Sequence, residues 1–485
     1  MTPAATLSPQ RQRLLLAAVV SGLFLAMLDQ TVVGTALPRI VDALGGADRY
    51  VWVVTAYLVP ATVTVPIYAR LSDRFGRRAL LLFGMTLFLL GSALSASAQD
   101  MTQLIVWRAI QGAGAGALES LSFILVADLY GGRRNAALQG VLAGLMGISF
   151  LAGPLVGGFI ADQLDWRWVF LVNVPIGLVA LVVVATVLPG WIGRREERGA
   201  PLDLAGIATL TMALGLVLVG LSERTHPLAD GTLPGWAEAR TGGLVLLGVL
   251  GLGAFLAVER RAAAPIVPLA LFAERRTAAI LAAATTAMFG LPACVLLLPR
   301  YFQGARDVSA THSGLLVYPL LLGLIVSVNA AGMIVSRRLE FRRPLLVGLA
   351  LTALGGLGFG TFDAQTPDWQ GLVFMALIGV GIGPTLSGLQ IAVQRTVAPA
   401  ALGAAMGTLI LLRQVGASIS LATAETVYGA RVHGAGLDAA ATATGAGVLI
   451  VTVAGAGLAA AALGLLLPRG AGRLEPLPEP VGAPA

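Results

Sequence analysis

The sequence predicts an all-α integral membrane protein: fourteen transmembrane helices, arranged as two six-helix bundles with two more helices inserted between them. Three observations lead there. The 485 residues are 57% hydrophobic and 12% charged, with a mean hydropathy of +0.85. A soluble chain of this length cannot bury that much apolar surface. A window of about 20 apolar residues, the length of helix that spans a bilayer, fits at fourteen places. All 32 basic side chains are arginine, and they cluster in short segments between the windows, as cytoplasmic loops do. The pI near 10.3 therefore reflects loop arginines and not a nucleic-acid surface. The single cysteine, Cys294, excludes an intrachain disulfide and suggests no metal cluster.

The first window, 14–37, follows Arg11 and Arg13 as a signal peptide would, but lacks a convincing cleavage site and reads as an uncleaved span. The others are 50–70, 79–98, 102–127, 138–162, 168–188, 203–222, 241–258, 277–298, 313–335, 344–362, 370–392, 402–428 and 445–467. The ninth is the least regular, because Pro292 and Pro299 interrupt its end. With the N-terminus inside, inner segments hold 22 arginines and outer loops eight, while Arg108 and Arg413 lie within spans. That bias places both termini in the cytoplasm of a bacterial inner membrane and requires an even span number. The loop LSDRFGRRALLLFG after span 2 is echoed by VSRRLEFRRPLLVG after span 10, a weak sign of repeated halves. The expected domains are an N-terminal bundle (1–190), a linker with two extra helices (191–276), a C-terminal bundle (277–467) and a disordered Pro-rich tail (468–485).

Five charged side chains fall inside windows and away from their ends: Asp29, Arg108, Glu119, Arg413 and Glu425. A charge at the bilayer centre costs about 2.5–3.5 kcal/mol on insertion scales, so such residues mark proton, ion or substrate paths. Asp29 lies about 22 Å along the first span from Leu14 at 1.5 Å per residue, where burial penalises the charged carboxylate, as a proton carrier requires. In the loop 69–78, Gly76 permits a tight turn and Asp73 can accept hydrogen bonds from arginines or a helix N-terminus. Arg77 and Arg78 suit anionic headgroups; a plain anchor loop is the simpler reading.

The fourth span contains Arg108, Gln111, Gly112, Gly114 and Glu119. A buried cation can drive a nearby carboxylate to release its proton. Gly112 and Gly116 permit close helix approach. Glu119 returns to within about 20° of the face of Arg108, about 16 Å further along; it can bind a cationic substrate, carry a proton or pair with an arginine. In the fifth span Pro154 bends the helix, and Gly153, Gly157 and Gly158 allow tight packing. His312 opens span 10, where a structural role is expected. Glu425 lies about 31 Å from the start of span 13, at the outer interface, where a solvated helix end is at least as good a reading as a functional one.

These strings resemble signatures of the major facilitator superfamily, and in particular of its 14-span drug:proton antiporters. Residues 69–78 are similar to G-x-L-a-D-r-x-G-r-[rk], with Ala69 replacing the leading glycine. Residues 28–38 are similar to L-D-x-T-[IV]-V-N-V-A-L-P; Gly34 and Thr35 depart from it, so a polar contact of relatives is expected to be missing. Arg108, Gln111, Gly112 and Gly114 match R-x-x-Q-G-x-G-x-[GA]; Gly153, Pro154, Gly157 and Gly158 match the antiporter motif g-x-x-x-G-P-x-x-G-G. Residues 165–177, from Asp165 to Gly177, form the most family-specific string, and Arg413 with Gln414 matches F-x-R-Q-l-G. The resemblance is strong to about residue 190 and weaker over the last six spans.

The resemblance implies the major facilitator fold and proton-coupled multidrug efflux. Amphipathic drugs, dyes or antibiotics would be exported by alternating access. Asp29, Arg108 and Arg413 would carry proton coupling, and Gln111, Glu119 and Glu425 are candidates for substrate or proton binding. Asp73, Gly76, Arg77, Arg78 and the fifth-span motif would serve conformational change. No G-x-x-x-x-G-K-[ST] or H-E-x-x-H string is present, so the expectation is a non-enzymatic monomer with no cofactor or metal, driven by the proton gradient. An exporter dedicated to one native metabolite or lipid is the alternative, and a non-transporting membrane sensor on the same scaffold a further one.

Overall fold

The computed structural model describes residues 8–46, 49–129, 132–190, 203–223, 234–262, 265, 267, 269–338, 340–363, 365–397, 402–432 and 437–465. The tail 468–485 and the first part of the linker, 191–202, read above as disordered tail and linker, lie outside the described residues. The helices are α1 (Pro9–Leu44), α2 (Tyr50–Phe75), α3 (Arg77–Ala96), α4 (Met101–Leu129), α5 (Gly132–Gln163), α6 (Trp168–Leu171), α7 (Asn173–Val187), α8 (Leu204–Glu223) and α9 (Leu244–Glu259). They continue as α10 (Arg275–Ala287), α11 (Gly290–Arg306), α12 (Ala310–Leu316), α13 (Tyr318–Arg338), α14 (Arg342–Phe359), α15 (Asp368–Thr396), α16 (Leu402–Val432) and α17 (Leu437–Leu465). The pairs α6–α7, α10–α11 and α12–α13 are broken rods, which leaves fourteen rods at the places the hydropathy windows mark. Ten helical stretches are long and apolar enough to cross a membrane, and α2 and α8 carry shorter apolar stretches, Trp52–Val65 and Ala205–Leu221.

Helices outrun their apolar windows where capping extends them. α1 begins at Pro9 because Ser8 accepts a hydrogen bond from the backbone N–H of Arg11 (3.4 Å), and it stops at Gly45, whose φ is 70°. The ninth rod departs from expectation. Its break falls at Met288–Phe289, while Pro292 sits in the first turn of α11, where a missing N–H costs nothing, and Pro299 is carried inside the helix. Helix therefore continues to Arg306, and Arg300, counted above among loop arginines, is a helical residue.

The first core runs from Leu15 to Leu188 through α1–α7 and takes in Leu296 of α11 and Leu421 of α16. α1 packs on α5 and α7, and α4 fits between α2 and α3. In the second half α15 packs on α13 and α14, and α17 packs on α14 and α16. α8 and α9 pair with each other, and α8 leans on α2 and α16 through Val63, Leu214 and Leu411. Large apolar side chains such as Val179, Val182, Leu246 and Leu250 point outward, as they do where lipid is the solvent. The halves meet along a seam where α5 touches α12, α1 touches α11 and α2 touches α16.

Candidate functional site

The breadth of the first core does not exclude charge from it. Asp29 and Arg108 are each 1% exposed, and Nη1 of Arg108 bonds Oδ2 of Asp29. The other carboxylate oxygen accepts from Gln111 Nε2 (2.8 Å) and Asn173 Nδ2 (3.0 Å). Arg108 Nη1 also reaches Gln111 Oε1 (2.8 Å), and its Nε donates to the Val53 carbonyl (3.2 Å). The hydroxyl of Ser92 accepts from Gln111 (3.2 Å) and Asn173 (3.0 Å) and donates to the Phe170 carbonyl (2.8 Å). The guanidinium lies over the ring of Tyr57, 4.2 Å from its centroid, in a cation–π contact. Tyr57 in turn donates to the Ala26 carbonyl (3.0 Å).

Five helices thus converge on one carboxylate. α1 supplies Asp29, α2 Tyr57, α3 Ser92, α4 Arg108 and Gln111, and α7 Asn173. The break at Val172 places Asn173 at the first position of α7, beside α1 and α3. Burying an ion pair is expensive unless its remaining lone pairs are filled, and here both oxygens of Asp29 have donors. A proton on the carboxylate would remove the charge that balances the buried Arg108, so the protonation of Asp29 bears directly on its contact with α4. Asp29, Arg108 and Gln111 were singled out in the sequence; Tyr57, Ser92 and Asn173 were not, although Asn173 lies within the 165–177 string. Asn173→Ala removes two hydrogen bonds from a fully buried cluster. The expected loss is about 1–3 kcal/mol, read as a lowered unfolding temperature of the purified protein in detergent.

Glu119, 5% exposed, faces the seam, where its Oε2 accepts from Gln414 Nε2 of α16 (3.3 Å). The stripe shared with Arg108 therefore leads from the interior of the first half to the contact between halves. Arg413 has no carboxylate partner among the described residues; its Nη2 donates to the carbonyls of Thr385 (3.2 Å) and Leu386 (2.7 Å), just past Pro384 of α15. Arg108 and Arg413, matched by motif, thus have different surroundings.

Glu425 is not a solvated helix end. It is 2% exposed, and Arg300 Nη1 lies 3.4 Å from its Oε2. Distance along α16 located it near a helix end, but α2 and α11 pack over it there. His312 is exposed; its backbone N–H donates to Ser309 (3.2 Å) as part of a helix cap.

The side chain of Asp73 lies outside the described residues. Gly76 makes the whole turn between α2 and α3, with φ 90°, a conformation that strains any other L-residue. Arg77 Nε bonds Asp128 Oδ2 of α4 (2.9 Å) and its Nη1 bonds Ser72, while Arg78 bonds the Ala185 carbonyl of α7. The two arginines tie four helices of the first half together at its arginine-rich end. In α5 a Cβ on Gly157 would stand 2.3 Å from the Val32 carbonyl of α1, and one on Gly158 would stand 2.5 Å from the Ala310 carbonyl of α12. These glycines let α5 touch both halves.

At the arginine-poor end Asp162 accepts from the N–H groups of Ala310 (3.0 Å) and Thr311 (2.7 Å), and Gln303 Nε2 donates to the Thr35 carbonyl (3.1 Å). Together with Arg300 and the Gly158 contact, these bonds close the seam at that end.

Two helical halves, closed against each other at one end of a membrane-embedded seam, with acidic and basic side chains buried beside it, are the architecture of a membrane transporter. The Major Facilitator Superfamily model matches residues 19–421, and the chain belongs to that superfamily. It is 32% identical over 421 residues to the multidrug transporter protein MdtP of Bacillus subtilis, covering 87% of this chain and 76% of that one. It is 32% identical over 410 residues to multidrug resistance protein 3 of the same organism, covering 84% and 77%. Among solved structures it resembles a D-xylose-proton symporter, with a TM-score of 0.65 at 15% identity, covering 95% of this chain and 99% of that one. That likeness bears on the fold alone.

Proposed function

We propose that this transporter is a proton-coupled antiporter that exports amphipathic, preferably cationic, compounds from the cytoplasm by alternating access. The observation that carries the reading is Asp29, buried beside Arg108 with both carboxylate oxygens accepting hydrogen bonds inside a five-helix cluster. A carboxylate so held changes its partners when it takes a proton, and that is the elementary event a proton-driven cycle needs. The multidrug names of relatives at about the same identity support the substrate class. All fourteen rods cross the inner membrane in this reading, the arginine-rich end is cytoplasmic with both termini, and residues 1–190 and 277–467 are the moving bundles. The seam, closed at the arginine-poor end, then makes this an inward-facing form.

Protons arriving from outside neutralise Asp29 and are released inside. The membrane potential contributes about 2.3 kcal/mol per charge per 100 mV, and one pH unit adds about 1.4 kcal/mol per proton. For a neutral substrate one proton therefore sustains a gradient of roughly 10²–10³-fold; exchange of one proton for one monovalent cation is electroneutral, and the pH difference alone then sustains about tenfold per unit. No cofactor enters the cycle, and the monomer suffices. Glu119, at the seam, is the carboxylate that meets a cationic substrate.

The test is uptake of a fluorescent organic cation, ethidium, into inverted vesicles with an imposed pH gradient. Wild type accumulates ethidium and dissipates the gradient, whereas Glu119→Gln moves neutral amphiphiles normally but loses at least tenfold in ethidium transport. Transport that survives collapse of both pH gradient and potential would sink the coupling.

A further inference from the structure

Arg300 is one of the points at which the two halves are clasped. Its guanidinium lies between two tyrosine rings, 4.5 Å from the centroid of Tyr50 on α2 and 4.3 Å from that of Tyr428 on α16. Tyr50 belongs to the first half; Arg300, Tyr428 and Glu425 belong to the second. The Arg300 side chain is 26% exposed and that of Glu425 only 3%, so the arginine stands between the carboxylate and the arginine-poor face. Oε2 of Glu425 takes the ion pair, and among the described residues its buried Oε1 has no hydrogen-bond partner. The hydroxyl of Tyr50 is likewise buried without a partner. Asp29, by contrast, has donors on both oxygens. The Glu425 site is therefore a carboxylate with one oxygen committed to a cation and the other unoccupied.

We propose that Glu425 is a second proton-binding site of the transporter, loaded from the arginine-poor face, and that its protonation releases Arg300 and opens that end of the seam. The proton adds to Oε1. The carboxyl group is then neutral and Arg300 is left as a buried cation without a counter-ion, which is strongly unfavourable. Because the guanidinium already has a route to water, it withdraws toward the face. Its contact with Tyr50 is lost, and with it one of the links between α2 and α11. Loss of the proton restores the pair and the clasp.

The titratable and charged groups around Glu425 are Arg300 of α11, Tyr50 of α2 and Tyr428 one turn on along α16. Glu223, at the end of α8, is partly exposed and lies two residues from Leu221, whose carbonyl accepts from Thr426 (3.2 Å). Among the described residues, α10, α15 and α17 bring no further charge to this site.

The proposal rests on the antiport reading for its role in a cycle. Its test reads conformation without substrate, so its failure is separate from a failure of that reading. In a Cys294→Ala background, spin labels on Gln99→Cys and Gln365→Cys, exposed in loops of the two halves at the arginine-poor end, report the separation there. On acidification from about pH 8 to about pH 5, the wild-type distribution is expected to pass from predominantly short to predominantly long. Glu425→Gln is expected to give the long distribution at every pH. Asp162→Asn is expected to keep a pH-dependent shift. A Glu425→Gln protein that still switches with pH overturns the proposal, as does loss of the response in Asp162→Asn alone. Should Glu425→Gln fail to insert, Tyr50→Leu removes the other side of the clasp without touching the carboxylate. Its distribution must then be long at every pH, and a short distribution at pH 8 refutes the clasp.

Discussion

Replacing Asp29 with asparagine is expected to abolish proton-coupled transport and to destabilise the protein by about 3–5 kcal/mol, the cost of leaving one member of a buried ion pair unpartnered. Arg108 cannot shed its charge, and at 1% exposure it has no route to water. Gln111 and Asn173 still donate to the asparagine oxygen, so the hydrogen-bond geometry partly survives while the charge balance does not. The double variant Asp29→Asn with Arg108→Gln separates the two effects. Removing both charges from a buried pair is often close to neutral, so the double variant is expected to regain most of the lost stability. It remains unable to couple. Thermal unfolding in detergent measures the first quantity and proton flux in proteoliposomes the second. Gradient-driven transport by the double variant would remove Asp29 from the role of proton carrier.

The second large effect is expected at Gly158. A Cβ there would lie 2.5 Å from the Ala310 carbonyl oxygen and 2.6 Å from the Thr311 Cα. Both are backbone atoms and cannot step aside. Gly314 of α12 is pressed in the same way, 2.4 Å from the Pro154 carbonyl, and the next turn of α5 carries Asp162, which holds the N–H groups of Ala310 and Thr311. Gly158→Leu must therefore part α5 from α12 and unseat Asp162. Overpacking of this kind costs about 1–3 kcal/mol, and since the cost falls on the closed seam alone, it shifts the closed-to-open ratio about 5- to 150-fold. Transport should fall accordingly, with the Gln99–Gln365 spin-label distance lengthened. Gly304→Leu is the control, because no atom lies within 4 Å of the Cβ position at this α11 glycine. Equal effects from the two substitutions would show that helix propensity, and not contact between halves, is what Gly158 serves.

Both predictions start from motifs that were legible in the chain. Asp29, Arg108 and Gln111 stand out in a sequence because charge is rare in apolar windows and expensive to keep there. The Gly-Pro string stands out because small residues and proline have few other uses in a long apolar helix. Asn173 and Ser92 did not stand out. Short polar side chains are common in helices, and their meeting at Asp29 requires α1, α3 and α7 to converge, which no periodicity within one helix encodes.

Glu425 and Arg300 were misread for one reason. Their distance from the nearest loop was counted along the chain, and burial depends on what lies across from a residue. Pro299 ended the apolar window, but α11 carries the proline and continues, delivering Arg300 to the buried carboxylate.

The sequence by itself determined the solvent of this protein, its helical content, the rods and the residues that pay for charge in an apolar setting. These follow from local terms: transfer free energy summed over about 20 residues and the backbone's need to satisfy its own hydrogen bonds in lipid. Only the tertiary structure decided which partner each buried carboxylate takes. Asp29 went to Arg108 within the first half, Glu119 to Gln414 across the seam, and Glu425 to Arg300 beneath Tyr50. Pairing energies fall off within a few ångströms, and those few ångströms are set by helices far apart in the chain.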